Sequence, residues 1–284
     1  MSGRIHLSGG FLVDTTFQTP IFHNHLKTSF LGRNLIHHQT TTSTMDDALR
    51  MAQRGAPHGT LIIAEEQTHG KARKDFRSWS SMPAGNLYFT VILRSAELEP
   101  LSLVHFAAPA SLAMACRDRG VDAQVKWPND VWSHNKKLSG MIQPVEYEQE
   151  DNSPYCGSYY SMLGVGINVN QDMSKHPDPL LSKGAISLSQ IMGKIVSREI
   201  LLAQFMNHLE ENIQKSREGV MSLYRSVDLL SGRTVIIKPK GLEEMESFEA
   251  SVVEVMDNGQ LKVSVNGEEK ILMNEEVGEI RPKL

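Results

Sequence analysis

The chain changes its pattern near residue 230, and this change limits the folds open to it. Asp257-Asn258-Gly259 and Asn266-Gly267 are strong hairpin turns. Around them, short segments alternate apolar and polar residues as half-buried strands do: GRTVIIKPK, SFEASVVEV, QLKVSVN and VGEIRP. A stretch this short has room for little more than a five-stranded barrel, so we place a small all-β unit at residues 229–284.

The preceding part of the chain mixes strands and helices without strict βαβ alternation. Apolar runs predict strands at 59–67 and 85–93, and residues 123–147 read as strand, tight turn, strand, polar turn, strand. Residues 159–171 predict a strand that runs into a glycine-rich bend. Hairpin-connected strands beside helices favour an α+β domain with a mixed or antiparallel sheet, and we assign it residues 36–228.

Three segments of this domain predict helices. Ser43 and Thr44 are good N-caps for a helix within 41–57. Residues 101–120 are helical in composition, and we expect Pro109 to start or kink that helix. Residues 197–219 predict one long amphipathic helix closed by a glycine.

Composition narrows the classes of function. The 284 residues carry 29 Lys and Arg against 33 Asp and Glu, which is not the basic excess of a general nucleic-acid binder. No apolar run approaches the ~18–20 residues that span a membrane. Cys116 and Cys156 lie in no metal-ligand spacing, so we expect reduced, intracellular thiols. Residues 1–35 predict a poorly ordered extension, with an organellar presequence as the alternative.

The segment KWPNDVWSHNKKLSGMI (126–142) concentrates groups that bind anions. The composition Trp-Pro-Asn-Asp predicts a rigid turn, and Lys126, Asn129 and Asp130 are followed one hairpin later by Lys136 and Lys137. A lysine on a strand is costly to bury unless its ammonium meets a charge, and a carboxylate or phosphate would supply one. Gly140 lets a ligand approach the backbone. For WPND taken alone, an ordinary β-turn is the alternative.

Residues 69–79, HGKARKDFRSW, form a basic loop between two apolar strands. Backbone N–H groups combined with Lys and Arg hold phosphates, so the loop predicts phosphate binding, with a solvated surface loop as the alternative. Trp79 would stack on a base or anchor the loop. GVGIN (164–168) permits close approach of a planar ligand or makes a sheet bend. No Ser-His-Asp or Cys-His spacing stands out, which indicates electrostatic chemistry on an anionic, adenylate-like substrate.

From about Thr41 to its C-terminus the chain resembles the biotin protein ligases. The resemblance rests on blocks in a shared order, of which KWPND followed by KLSG is the most specific: TSTMDDA, AEEQTHGKAR, SW, GNLYFTVIL, VKWPNDVW, KKLSGMI and GVGINVN. It implies a mixed sheet with flanking helices, like that of class II aminoacyl-tRNA synthetases and biotin synthetases, and a C-terminal SH3-like β-barrel. It also implies that biotin and ATP, with Mg²⁺, give biotinyl-5′-adenylate, from which the biotinyl group passes to a lysine of a carboxylase's biotin carboxyl carrier domain.

The resemblance further implies roles for individual residues. The residues that the resemblance implies for biotin binding are Ser43, Thr44, Met45, Gln67, Gly70, Lys71, Ala72, Arg73, Lys137 and Gly140. Its ATP and adenylate set is Lys71, Arg73, Arg77, Trp79, Asn86, Lys126, Asn129 and Asn168. Lys137 and Arg73 would stabilise the charge of the reacting carboxylate and α-phosphate. Asp130 would orient Mg²⁺ or the phosphates, and it is our candidate base for the acceptor amine.

The basic loop departs from the family's pattern. Lys71 replaces an arginine and loses its bidentate fork, Ala72 replaces a glycine, and Asp75-Phe76 stand where one glycine is usual. Met45 stands where asparagine is common.

Two other functions stay open: a lipoate-type ligase or acyltransferase on the same fold, and a non-catalytic module that binds biotin or a partner. The N-terminal extension is too short for the winged-helix domain of bifunctional members, so we expect no DNA binding. We expect a cytoplasmic enzyme, with mitochondrial targeting as the alternative, no membrane partner, and a homodimer as a candidate assembly.

Overall fold

A computed structural model describes residues 4–6, 12–14, 16–72, 78–81, 85–149, 153–240 and 246–283. Among these residues the helices are α1 (Thr19–His25), α2 (Thr44–Gln53), α3 (Leu98–Arg117), α4 (Pro179–Gly184), α5 (Leu188–Met192), α6 (Arg198–Ile213) and α7 (Arg217–Ser226). The first strands are β1 (Arg4–His6), β2 (Leu12–Asp14), β3 (Leu35–Thr41), β4 (Leu61–Gln67), β5 (Gly70–Lys71), β6 (Ser78–Trp79) and β7 (Leu87–Ser95). They are followed by β8 (Gln124–Lys126), β9 (Asp130–Ser133), β10 (Lys136–Ile142), β11 (Val145–Tyr147) and β12 (Tyr159–Ile167). The last are β13 (Thr234–Pro239), β14 (Phe248–Val255), β15 (Leu261–Val265), β16 (Glu268–Leu272) and β17 (Val277–Pro282).

The main sheet confirms the α+β prediction. Its strands follow the order β3-β4-β7-β12-β10-β9-β8, with β11 also beside β12. β3 and β4 run parallel, whereas the other neighbouring pairs run antiparallel. The turn between β9 and β10 consists of His134 and Asn135, both at positive φ (51° and 58°). Such a turn matches the twist of a hairpin, so the KWPND and KKLSG blocks become neighbouring strands.

β7 lies inside the sheet and is buried on both of its faces. Phe89 and Val91 join the main core with α3 and α6, whereas Ile92 joins a smaller core that includes Ala48 and Ala52 of α2. A strand covered on both faces reads as a continuous apolar run. This explains why GNLYFTVIL shows no alternation.

α3 is the long helix of the core, and it differs from the expectation in two ways. It begins at Leu98 and continues through Pro109, so the expected start at that proline is wrong. By length and composition the 20-residue helix α3 could also cross a membrane, with a mean hydropathy of 1.2 over an 18-residue window, although we expected no such run from the sequence. Of this 18-residue window, 67 % is buried inside the protein, as in a core helix.

Residues 197–219 contribute to two helices, so the single long helix expected there is wrong. α6 ends at Ile213, and Ser216 begins α7 by accepting a hydrogen bond from the Gly219 N–H at 3.3 Å. Serine is a favoured N-cap because its hydroxyl satisfies one of the unpaired N–H groups of the first turn. Gly219 therefore lies in the first turn of a helix instead of closing one.

Residues 16–35 are packed against the main domain, so the expected poorly ordered extension is wrong for this segment. Phe17, Phe22 and Leu31 are buried in the main core. Three carboxylates accept its backbone N–H groups: Glu65 from Phe17 (2.6 Å), Glu199 from Gln18 (3.0 Å), and Glu210 from Ser29, Phe30 (3.0 Å) and Leu31 (2.8 Å). These contacts link the segment to β4 and α6.

The C-terminal strands form a five-stranded antiparallel sheet in the order β16-β15-β14-β13-β17. Both predicted hairpins are confirmed, and Asn266 and Gly267 have the positive φ angles (53° and 87°) that such a turn requires. Closure into an SH3-like barrel would need β16 to pair with β17. That pairing does not occur among the described residues, so closure stays a prediction.

Candidate active site

A pocket of about 170 Å³ lies where β10 and β12 meet the start of α2 and strand β17. Most of the predicted site residues line it: Thr44, Met45, Gln67, Lys71, Ala72, Trp79, Lys126, Asn129, Asp130, Lys137 and Gly140. The main sheet therefore brings together motifs that are far apart in the sequence.

The floor of the pocket is formed by glycines of β10 and β12, which carry no side chain. Gly140 of β10 pairs with Gly166 of β12, and the Trp79 ring lies across both, because a Cβ on Gly166 would stand 2.3 Å from its Cε2 and one on Gly140 would stand 3.0 Å from its Cζ3. A Cβ on Gly164 would stand 2.4 Å from the Met45 Sδ. Both β12 glycines lie inside a paired strand, so the expected glycine-rich bend is wrong. Because these glycines have no side chain, Trp79 and Met45 can lie directly against the sheet surface.

Trp79 lines the pocket. Its indole N–H is buried and has no hydrogen-bond partner among the described residues. The indole Nε1 lies against the sheet, since a Cβ built on Gly166 would stand 2.7 Å from it. The strand pair β5–β6 holds the backbone of Trp79 opposite Gly70.

Lys137 and Lys126 supply positive charge at one end of the pocket. The Lys137 Nζ lies 2.7 Å from the Asp130 Oδ1 and 5.6 Å from the centroid of the Trp79 ring. The Lys126 Nζ lies 4.4 Å from the Trp132 ring centroid. Desolvation by burial lowers the pKa of Lys126 to about 8, although the charge of Asp130 opposes this shift. A buried ammonium that is only partly compensated attracts an anion.

Lys71 adds a third cation to the lining. Its ammonium pairs with Asp46 in the first turn of α2, and its side chain is half exposed. Asp130 and Glu279 are the carboxylates of the lining, so lysines outnumber acids around this pocket. The arrangement suits a ligand that carries a carboxylate or phosphate.

The opposite end of the pocket is neutral and rich in hydrogen bonds. The Gln67 Oε1 accepts from the Thr44 N–H (2.9 Å) and hydroxyl (3.0 Å), and the Thr90 hydroxyl donates to the Thr44 Oγ1 (2.9 Å). Ser43 is fully buried and caps α2 by accepting from the Met45 N–H at 3.3 Å. This end would recognise a neutral polar group.

Several predicted ligands lie behind the pocket wall. Asn86 is buried and bonds to the Tyr88 hydroxyl (3.1 Å) and the Val169 N–H (2.9 Å). Asn168 is buried near the Lys137 carbonyl (3.4 Å). These two asparagines and Ser43 support the wall and do not line it. Gly70 lines an adjoining groove, and Arg73 and Arg77 lie outside the described residues.

No local pattern in the sequence indicates the residues that β17 adds to the pocket. Val277, Gly278, Glu279 and Ile280 all line it. In the sequence, VGEIRP reads only as a terminal strand, and nothing in its composition indicates which surface it covers.

The donor set does not form a metal cage. Among the described residues, no three His, Cys, Asp or Glu side chains lie close enough together to hold a metal ion. Mg²⁺ is usually held by one or two carboxylates together with substrate phosphates. Asp130 and Glu279 are the lining carboxylates that would contact such an ion if it entered with a phosphate ligand.

The chain resembles known proteins in both its sequence and its fold. Residues 36–158 match the sequence model of the Biotin/lipoate A/B protein ligase family. The structure resembles that of the biotin protein ligase from Aquifex aeolicus in complex with biotin and ATP, with a TM-score of 0.71 and 25 % identity over 88 % of this chain and 100 % of that chain.

Two relatives of known sequence are similar to more than half of the chain. The bifunctional ligase/repressor BirA of Bacillus subtilis is 32 % identical over 175 residues, which are 61 % of this chain and 51 % of BirA. The biotin--[acetyl-CoA-carboxylase] ligase of Mycobacterium tuberculosis is 27 % identical over 251 residues, or 85 % of this chain and 87 % of that protein. The chain is therefore similar to biotin protein ligases in both sequence and fold. It spans about half the length of the BirA relatives that it matches.

Proposed function

We propose that the protein joins biotin to ATP and transfers the biotinyl group to a lysine of a carboxylase's carrier domain. One observation carries this proposal: a single pocket is cationic at one end and neutral and hydrogen-bonding at the other. Biotin has a neutral ureido ring and a carboxylate, and it would lie between these two ends. The names of the relatives support the same reaction.

In the first step a carboxylate oxygen of biotin attacks the α-phosphorus of ATP. The bond from that phosphorus to the bridging oxygen breaks, and pyrophosphate leaves with the electron pair. Two anions must approach each other, so Lys137 and Lys126 would lower the barrier by stabilising the charge of the transition state. Mg²⁺ would enter bound to ATP, with Asp130 beside it.

In the second step the amine of the acceptor lysine attacks the acyl carbon, and AMP leaves. The amine must be neutral to attack, whereas a lysine with a pKa near ~10.4 is protonated at neutral pH. Asp130 is our candidate to receive that proton, because it is a carboxylate in the lining.

A wider groove adjoins the pocket and gives the acceptor a route. It encloses about 1530 Å³ and shares Met45, Lys71 and Asn129 with the pocket. Its other walls include Met162 of β12 and Met273 near the C-terminal sheet. A groove of this size would admit a lysine-bearing turn of a carrier domain, and flexible methionines adapt to such a partner.

Cysteine chemistry supports a cytoplasmic location, which we propose for the enzyme. Cys116 is fully buried, and burial raises the pKa of its thiol to about 12. It forms no disulfide within the described part of the chain. A buried, reduced cysteine suits a reducing compartment.

Exchange of labelled pyrophosphate into ATP tests the proposed adenylation. We expect exchange that depends on biotin, because the reverse of the first step needs the biotinyl adenylate. Lipoate is the matched alternative acid, since the family includes both ligase types. Exchange with lipoate but not biotin would assign the protein to the lipoate branch, and biotin binding without any exchange would favour a non-catalytic module.

A further inference from the structure

A hydrogen bond links the KWPND turn to the C-terminal sheet. Trp127, in the middle of this motif, is 1 % exposed, and its indole N–H donates to the Gly259 carbonyl at 2.9 Å. Gly259 belongs to the hairpin turn between β14 and β15, 132 residues further along the chain. A partly buried hydrogen bond therefore joins the sheet that carries Lys126 to the C-terminal unit.

The turn around Gly259 is fitted closely to the main domain. Gly259 has a φ of +85°, and a Cβ built on it would stand 2.3 Å from the Phe106 Cζ of α3. The residue must therefore be a glycine for two separate reasons, its backbone conformation and its contact with the ring. Phe106 in turn packs edge-on against Tyr224 of α7, with ring centroids 5.4 Å apart.

Charged contacts hold the same turn at its rim. Arg225 binds the Asp257 carboxylate. Arg217 donates to the Asp257 carbonyl at 3.0 Å and pairs with Glu99 at 3.1 Å. These side chains are largely exposed, so each ion pair contributes little. The Trp127–Gly259 bond, whose donor side chain is fully buried, is the contact most able to fix the position of the turn.

Trp127 lies between Lys126 and Asn129, and all three residues line the nucleotide side of the pocket. Lys126 precedes it on β8, and Asn129 follows two residues later and donates its side-chain amide to the Met141 carbonyl. A displacement of Trp127 would move both residues. The neutral end of the pocket, formed by Thr44 and Gln67, is built on other elements and would not move with it.

We propose that Trp127 is a positioning residue through which the C-terminal turn fixes the nucleotide side of the pocket. This inference rests on the proposed function, because it treats the end near Lys126 and Asn129 as the ATP end. The C-terminal unit then acts in two ways. Its strand β17 lines the pocket, and its Gly259 holds the KWPND turn by accepting the hydrogen bond from Trp127.

Ligand binding to the Trp127→Phe variant tests this role. Phenylalanine keeps an aromatic ring but cannot donate the hydrogen bond. In calorimetry with biotin present, we expect the Kd of an ATP analogue with a methylene between its α- and β-phosphates to rise about three- to ten-fold. The Kd of biotin alone should stay within about twofold of that of the wild type. Equal weakening of both ligands, or no weakening, would overturn the inference.

A pair of glycine variants gives the same comparison without altering Trp127. Gly259→Ala and Gly267→Ala both place alanine at a φ near +85°, but a Cβ on Gly267 has nothing within 4 Å. We expect only Gly259→Ala to weaken binding of the ATP analogue, with biotin binding retained. Identical effects of the two variants would contradict the proposal. Pyrophosphate exchange by the wild type separately tests the proposed function, so the two failures are distinguishable.

Discussion

Lys137 is the residue at which the contacts of the pocket meet. Its ammonium pairs with Asp130, faces the Trp79 ring and passes over Gly140, where a Cβ would stand 2.8 Å from the Nζ. The sequence singled out both Lys137 and Gly140, but it assigned the space above the glycine to a ligand. The structure places a protein side chain there, and only tertiary packing could determine which of the two occupies it.

The Lys137→Ala variant should lose adenylation while keeping its fold. Removing one preorganised group that stabilises transition-state charge typically costs about 3–4 kcal/mol, or roughly 10²–10³ in rate. Biotin-dependent pyrophosphate exchange measures this loss. Lys136→Ala is the matched control, since Lys136 is the adjacent residue of β10 and does not line the pocket. Wild-type exchange by Lys137→Ala would refute the assigned role.

At the scale of elements, the sequence predicted those helix caps, turns and strands that depend on interactions between neighbouring residues. The cap at Ser43, the Asn266-Gly267 turn and the buried run of β7 were all readable, because each depends on neighbours in the sequence. The division between α6 and α7 was missed, because an amphipathic pattern continues across the break. The packing of residues 16–35 was missed, because it depends on the distant carboxylates of Glu65 and α6.

Glu65 is the buried carboxylate of that packing. It bonds to His37 (2.9 Å), Arg198 (2.8 Å) and the Phe17 N–H (2.6 Å). Burial alone would raise the pKa of Glu65, but the hydrogen bonds from His37 and Arg198 and the charge of Arg198 outweigh it and lower the pKa to about 2. The folded state therefore favours the ionised carboxylate.

This lowered pKa predicts how stability depends on pH. The contribution of Glu65 is fully present above the pKa of the unfolded chain, near 4.5, and it is lost as the pH falls towards 2. In Glu65→Gln the buried Arg198 loses its partner, and we expect the free energy of unfolding at pH 7 to fall by about 3–5 kcal/mol. Urea denaturation between pH 7 and pH 3 measures both effects.

The exposed acid Glu211 provides the control for the pH series. Glu211 pairs with Lys215 at 3.4 Å on the surface of α6, and Glu211→Gln should change stability by less than about 1 kcal/mol. Glu65→Gln should lose less stability on acidification than the wild type. An unchanged slope in Glu65→Gln would show that Glu65 does not carry this part of the acid sensitivity.

At the scale of the whole molecule, the site is composite. The KWPND and KKLSG strands supply cations, α2 and β4 supply the neutral end, and β17 closes the pocket near the end of the chain. Sequence motifs identified the first two groups, since each has a distinctive local composition. Neither the contribution of Glu279 nor the bond from Trp127 to Gly259 has any sequence signal, because both arise only when the C-terminal sheet docks.

The most direct test of the account is covalent transfer of biotin to a carrier domain. Incubation of the protein with biotin, MgATP and a biotin carboxyl carrier domain should raise the mass of that domain by one biotinyl group, on a single lysine, and an avidin blot should detect it. Omission of ATP, or replacement of the acceptor lysine by arginine, should abolish the signal. An unmodified carrier domain, with ATP and biotin present and a known ligase active on the same carrier preparation, would contradict the account.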